Sequence, residues 1–294
     1  MTKAVLGIIG GSGVYDLPGL ENTRTEHIHT PWGEPSDELG FGEIAGLPLV
    51  FLPRHGRGHR LGPTQINYRA NIDALKRAGV TDIVSVSACG SFREALEPGT
   101  FVLVDQFIDR TIAREKSFFG EGCVAHVSFA DPVSPTLVDK VEAAAKAEDI
   151  THRRGGAYLA MEGPQFSTRA ESHLYRSWGC DVIGMTNMPE AKLAREAEIC
   201  YATVAMVTDY DCWHEAHDDV DIEALLRVLH ENVDKAKRLI GRMAKDFPHE
   251  HEPCPIGSDR SLDMAIITPP ETRDPVLMRK LDAVAGRILE GAAK

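Results

Sequence analysis

Apolar residues fall into short runs separated by glycine, proline and polar clusters. Residues 4–9 form an apolar run closed by Gly10, Gly11 and Gly13, the pattern of a buried strand entering a glycine turn. Residues 49–52 predict a second strand, ended by Pro53. Residues 66–78 carry helical spacing, with Tyr68, Ile72 and Leu75 on one side and Gly79 as the stop. Further strands are expected over 80–86, 101–104, 157–161, 181–183 and 200–207. Helices are expected over 134–148, opened by Ser134-Pro135, and over 168–178, opened by a capping box of Thr168 and Glu171. Two more are expected over 189–197 and 221–247. Strands alternate with helices to residue 247, so the fold class is α/β. Residues 247–260 hold Pro248, Pro253, Pro255 and Gly257 and break this pattern ahead of a last helix over 274–289. The chain thus divides into an α/β domain over 1–247 and a C-terminal extension of the same domain over 248–294.

Composition narrows the class. Hydrophobic residues make up 43% and charged residues 26%, which excludes a disordered or fibrous chain. Asp and Glu total 44 against 32 Lys and Arg, a net charge of −12. That field repels phosphate backbones, so no nucleic-acid partner is expected, and a small anion needs a local nest of donors. No run reaches the roughly 18 apolar residues of a membrane helix, so no membrane partner is expected either. The first apolar run ends in glycines, which reads as a strand rather than a signal peptide. Six cysteines (Cys89, Cys123, Cys180, Cys200, Cys212 and Cys254) are scattered without a C-x-x-C pair. This fits reduced thiols and a cytoplasmic protein.

Ligands of open α/β sheets bind beyond the carboxyl ends of strands. There the sequence places Gly10-Gly11-Ser12-Gly13, Arg54-His55-Gly56, Ser87-Ala88-Cys89-Gly90-Ser91, Glu162-Gly163-Pro164, Gly184-Met185-Thr186-Asn187 and Thr208-Asp209-Tyr210-Asp211. Small hydroxyls beside glycine and free amides are the chemistry of an oxyanion cradle. Arg54 adds a planar fork that can bind an anion bidentately. Gly-Gly-Ser-Gly alone reads better as a tight turn. Taken with Arg54, His55, Ser87 and Thr186, the anion site is the better account.

Asp209 and Asp211 follow an apolar strand at spacing two, which sends both side chains to one side if the strand stays extended. Neighbouring carboxylates raise one another's pKa and can keep one protonated near neutral pH. A solvated Asp-Tyr-Asp turn is the competing account. No metal site is expected. His55 and His59 are four apart, but Gly56 and Gly58 oppose the helix that spacing needs. His249, His251 and Cys254 sit in a proline-broken loop with no fourth ligand in view.

The motifs Gly10–Gly13, Pro53–Gly56, Asn67–Asn71, Ala88–Ser91, Glu162–Phe166, Gly184–Thr186 and Thr208–Trp213, in this order, resemble the methylthioadenosine phosphorylases of the trimeric purine nucleoside phosphorylase family. The resemblance covers about residues 5–245. It implies one α/β domain whose central mixed sheet curls toward a barrel, flanked by helices. It also implies a homotrimer, with no cofactor and inorganic phosphate as co-substrate. The reaction implied is phosphorolysis of 5′-methylthioadenosine to adenine and 5-methylthioribose 1-phosphate. Phosphate would be held by Ser12, Arg54, His55, Ser87, the Ala88 amide and Thr186. Met185 would pack under the ribose, and Phe166 and Ser167 would hold the base. His126 of a neighbouring subunit would sit over the 5′ substituent, with Ile222, Leu225 and Leu226 as the methylthio pocket. Asp209 would be the general acid at purine N7 and Asp211 the acceptor for the 6-amino group.

An aspartate pair accepts from an exocyclic amine and repels a carbonyl, which favours adenine over 6-oxopurines. Three other readings stay open from sequence. They are a phosphorylase of 6-oxopurine nucleosides such as methylthioinosine, a hydrolase using water, and a non-catalytic nucleoside-binding protein.

Overall fold

The structure, a computed structural model, describes residues 2–11, 17–214 and 222–291. In chain order it comprises β1 (Leu6–Gly10), β2 (Glu21–Glu26), β3 (Leu39–Ile44), β4 (Leu47–Pro53), α1 (Tyr68–Arg77), β5 (Asp82–Ser91), β6 (Phe101–Leu103) and β7 (Gln106–Arg110). Then follow α2 (Pro135–Ala147), β8 (His152–Arg154), β9 (Ala157–Met161), α3 (Arg169–Ser177), β10 (Val182–Gly184), α4 (Asn187–Glu196), β11 (Cys200–Asp209), α5 (Ile222–Asp246), α6 (Pro275–Lys280) and α7 (Gly286–Gly291). One mixed sheet takes all the described strands, in the order β2-β3-β4-β1-β5-β10-β9-β7, with β11, β6 and β8 branching from β5.

The continuous apolar runs are explained by burial on both faces. In β1, Leu6 and Ile8 enter one hydrophobic cluster and Ile9 enters another. β4 repeats the split, with Leu49 and Phe51 on one side and Val50 and Leu52 on the other. β11 does the same with Ala202, Val204 and Met206 against Tyr201, Ala205 and Val207. Leu137 and Val141 of α2 and Leu239 and Ile240 of α5 cover the first face. Ile72 and Leu75 of α1 and Ala191 and Leu193 of α4 cover the second. Cys254 joins the first core, and Leu262, Ala265, Leu281, Val284 and Ala285 join the second. The single-domain α/β class is therefore seen directly.

Two details differ from expectation. β2, β3, β7 and β8 lack an apolar signature, since every residue of β2 is exposed and β3 is interrupted by Gly40 and Gly42. Backbone pairing to β4, β9 and β6 makes these segments strands. The last helix is two short ones, α6 and α7. Between them, Asp282 is held by Arg77 and accepts from the Ala283 amide, a local bond that competes with helix. All six cysteines are free thiols. No helix among the described residues is long and apolar enough to cross a membrane.

Candidate active site

The site begins as a gap beside β5. Asp82–Ser85 pair with β1, and Gly90 and Ser91 pair with β10 on the same edge. Between them, Val86–Cys89 meet no described strand on that edge, while β11 fills the other. The Val86 carbonyl points into the gap and accepts from Arg54 Nη1 at 3.2 Å. Alternation along the strand turns the Ala88 N–H to the same edge. Ala88 is also the one exposed residue of this buried strand. Ser87 and Thr186 border the gap and are nearly buried. The structure thus gathers Arg54, Ser87, Ala88 and Thr186. Ser12 lies outside the described residues.

Arg54 departs from the expected bidentate fork. It is 1% exposed and pairs with the equally buried Glu190, Nε to Oε2 at 2.8 Å and Nη2 to Oε1 at 3.3 Å. Nη2 also donates to Ser85 Oγ. Of five hydrogens, one on Nη1 is left for a ligand. Arg54 therefore contributes fixed positive charge and a single donor. Glu190 also accepts from Ser85 Oγ (2.6 Å) and Tyr201 OH (2.9 Å). Asn187 Nδ2 donates toward Tyr201 OH and Thr203 Oγ1, and its Oδ1 accepts from Ser87 Oγ at 3.1 Å. This buried network ties the cradle to β5, β11 and α4.

His55 Nδ1 lies 2.9 Å from the Leu61 carbonyl, which can only accept, so the hydrogen sits on Nδ1. Burial and the Arg54 charge lower its pKa to about 4. The ring is neutral at pH 7 and leaves Nε2 as an acceptor, suited to a P–OH hydrogen.

Asp209 and Asp211 meet, but not by strand alternation. β11 ends at Asp209, and Asp211 opens a single helical turn with φ 50°. The turn lets the Asp211 amide donate to Asp209 Oδ1 at 2.8 Å. Both side chains lie over Gly90, where a Cβ would fall 3.1 Å from Asp209 Oδ1 and 3.3 Å from Asp211 Cβ. Burial raises both pKa values, and the Asp209 charge adds to the rise at Asp211. Ser172 Oγ donates to Asp211 Oδ2, which holds that carboxylate in place.

The remaining expected residues lie further out. Met185 is half-buried, with its carbonyl held by Arg114 Nη1. Ser167 Oγ contacts Met161 Sδ at 3.8 Å, and the Ser167 carbonyl accepts from Cys212 Sγ at 3.3 Å. Phe166 is 72% exposed and Leu226 45%. His126 is exposed, and its backbone N–H donates to the Ala265 carbonyl. The side chains of Ile222 and Leu225 lie outside the described residues.

Sequence reasoning missed Glu190 and Arg114, and named Asn187 only as part of a strand-end motif. Arg114 is buried and clamps two site loops, donating to the carbonyls of Met188 (2.7 Å) and Glu162 (2.7 Å) as well as Met185. A usable signal was Ser85 and Thr203, polar residues inside apolar strands that require a buried partner. His55 and His59 stack with ring centroids 4.2 Å apart, and His251 pairs with Asp82. Among the described residues, only His27, His29 and Glu34 bring three ligand atoms within 4.8 Å of one another, all of them exposed.

A strand-end oxyanion cradle beside a carboxylate pair, on a mixed sheet between two helical layers, is the arrangement of a nucleoside-cleaving α/β phosphorylase. Residues 5–245 match the phosphorylase superfamily, and the chain belongs to it. The S-methyl-5′-thioadenosine phosphorylase of Bradyrhizobium diazoefficiens is 71% identical over 291 residues, covering 99% of this chain and 100% of that protein. The crystal structure of a methylthioadenosine phosphorylase from an antarctic soil metagenomic library superposes with a TM-score of 0.91 at 47% identity, over 97% of this chain and 99% of that one. A mutant adenosine/methylthioadenosine phosphorylase of Schistosoma mansoni, solved with methylthioadenosine, gives 0.82 at 34% identity, over 92% and 99%.

Proposed function

We propose that the protein cleaves 5′-methylthioadenosine with inorganic phosphate, releasing adenine and 5-methylthioribose 1-phosphate. The observation that carries this reading is the shared position of cradle and carboxylates. The edge of β5 at Val86–Cys89, which meets no strand among the described residues, opens directly before Gly90, over which the Asp209 and Asp211 side chains lie. The identity to proteins named for this substrate supports the choice of nucleoside.

Breaking the glycosidic bond leaves positive charge on the ribosyl ring and negative charge on the purine. Phosphate in the cradle stabilises the oxocarbenium-like transition state from the ring's far face and then attacks. Ser12, Ser87, the Ala88 amide and Thr186 hold its oxygens. Arg54 supplies charge, and neutral His55 accepts a P–OH hydrogen. Asp209 donates a proton to N7. Burial supports this by raising its pKa, against the Thr208 hydroxyl and the Asp211 amide, which both donate to the carboxylate and favour its charged form. Asp211, ionised, accepts from the 6-amino group.

Met185 supports the ribose, and Phe166 and Ser167 hold the base. Ile222, Leu225 and Leu226 form the methylthio pocket, closed by His126 of the partner subunit in a homotrimer. Exposed Ile112, Met264 and Ile267 support an interface between copies. No metal or cofactor takes part in this scheme. We place the enzyme in the cytoplasm, in purine and methionine salvage, with residues 248–294 as an extension of the domain formed by 1–247.

The test is adenine release from methylthioadenosine with and without phosphate, beside methylthioinosine, adenosine and inosine. Phosphate-dependent cleavage favouring methylthioadenosine is expected. Preference for 6-oxo substrates overturns the role of the aspartates, cleavage without phosphate points to a hydrolase, and no cleavage leaves a binding protein.

A further inference from the structure

Tyr158 in β9 is fully buried, yet its hydroxyl has no hydrogen-bond partner. Leaving a buried hydroxyl unpaired is destabilising, so the position calls for a reason. Phe107 packs edge-on against the ring at 5.9 Å. The hydroxyl reaches across the neighbouring strand to the Cα of Gly184, where a Cβ would come within 1.9 Å of it. Only glycine admits it there. The pair Tyr158–Gly184 therefore delivers a buried O–H to Gly184-Met185-Thr186, the segment that borders the gap beside β5.

The Ser87 side chain and the Thr186 backbone N–H face this hydroxyl without closing a bond. Burial pushes its pKa to about 12, so it keeps its proton. Ser87 Oγ meanwhile gives its one hydrogen to Asn187 Oδ1. To bind an anion, Ser87 must turn that hydrogen away from Asn187. Its oxygen then has free lone pairs in a buried pocket, and Tyr158 is the unused donor facing it.

We propose that Tyr158 is a positioning residue of the phosphate cradle: its hydroxyl donates to Ser87 Oγ once the Ser87 hydrogen turns from Asn187 to bound phosphate. The proposal rests on the phosphorolysis reading only in placing phosphate at Ser87.

The test is Tyr158→Phe in the full chain, which removes one oxygen. The KM for phosphate should rise about tenfold, equivalent to about 1.4 kcal/mol. The KM for the nucleoside should stay within twofold, and the thermal midpoint should hold or rise because an unpaired hydroxyl has gone. In a Ser87→Ala background the same change should add nothing, which separates action through Ser87 from direct contact. An unchanged phosphate KM overturns the proposal. So does a fall in thermal midpoint with equal losses in every kinetic parameter, and so does a full additive loss in the Ser87→Ala background. Calorimetric titration with inorganic phosphate separates this idea from the assigned reaction. Phosphate binding by wild type that weakens in Tyr158→Phe, without adenine release, keeps the positioning role and loses the reaction. No phosphate binding by wild type overturns both.

Discussion

The two halves of the site are built differently. On the phosphate side, Arg54, Glu190, Asn187 and Ser87 are buried and bonded to one another across β5, β11 and α4. On the nucleoside side, Phe166 stands largely exposed and Leu226 nearly half so, and among the described residues His126 is held through its backbone. The anion half is therefore part of the folded core. The base and sugar half joins the part-buried Asp209 and Asp211 to exposed side chains, and is completed by what binds there. Substitutions in the first half should move stability and phosphate affinity together, whereas at the exposed residues of the second they should move nucleoside affinity alone.

The largest effect is expected at Glu190. Glu190→Ala leaves the Arg54 guanidinium buried without its carboxylate. Breaking a buried pair from one side costs about 3–5 kcal/mol. Urea denaturation should show this loss, with phosphate protection of the fold greatly weakened. A variant of wild-type stability would show that the cradle is not part of the core. Asp209→Asn comes next. It keeps the shape and removes the acid, so kcat on methylthioadenosine should fall about a hundredfold, the lower range for a general acid. Stability should hold or rise, because burial already disfavours the charged carboxylate. Unchanged turnover would remove Asp209 from the chemistry.

The same contrast explains what the sequence made legible. Strand-end motifs located Ser87, Ala88, Thr186, Asp209 and Asp211 because their backbone positions follow from where apolar runs stop. The two-sided core was legible for the same reason, in β1, β4, β5 and β11. Glu190 and Arg114 were not. Each looks like an ordinary charged residue in one dimension, and only the approach of distant segments, 136 residues apart for Arg54 and Glu190, makes it a buried partner. The reach of Arg54 was misjudged for that reason. Asp211 does lie beside Asp209, but by another route, since a turn with positive φ, not an extended strand, brings it there.

A smaller effect should appear with pH. The unfolded His55 ring takes a proton near 6.5 and the folded ring only near 4. Between those values the unfolded state binds more protons, so this contribution is whole above 6.5 and lost as pH falls through the window. Glu196 acts in the opposite sense, because burial raises its carboxyl to about 7 and its share fades as pH rises from the ordinary carboxylate range. The two overlap, so the wild-type profile alone does not separate them. The difference between wild type and His55→Asn does. That difference should grow from pH 4 to 6.5 with a slope below about 1.4 kcal/mol per pH unit, since the ring is partly exposed. A flat difference would mean that His55 is not held neutral by the buried cradle.

The smallest effect on the fold, and the sharpest test of the contrast, belongs to Phe166. With 72% of its surface exposed, the ring contributes little to the core, and Phe166→Ala should change stability by no more than about 0.5 kcal/mol. Stacking of a base on an aromatic ring is worth about 1–3 kcal/mol. The lower end applies to a ring held on one side only, so the KM for methylthioadenosine should rise about fivefold. Phosphate KM should not move, because no bond among the described residues links Phe166 to the Arg54–Glu190–Asn187 network. Steady-state kinetics with each substrate varied in turn measures both. A rise in both constants would couple the surface half of the site to the buried half, and would mean that nucleoside binding, rather than the fold alone, sets the geometry of the cradle.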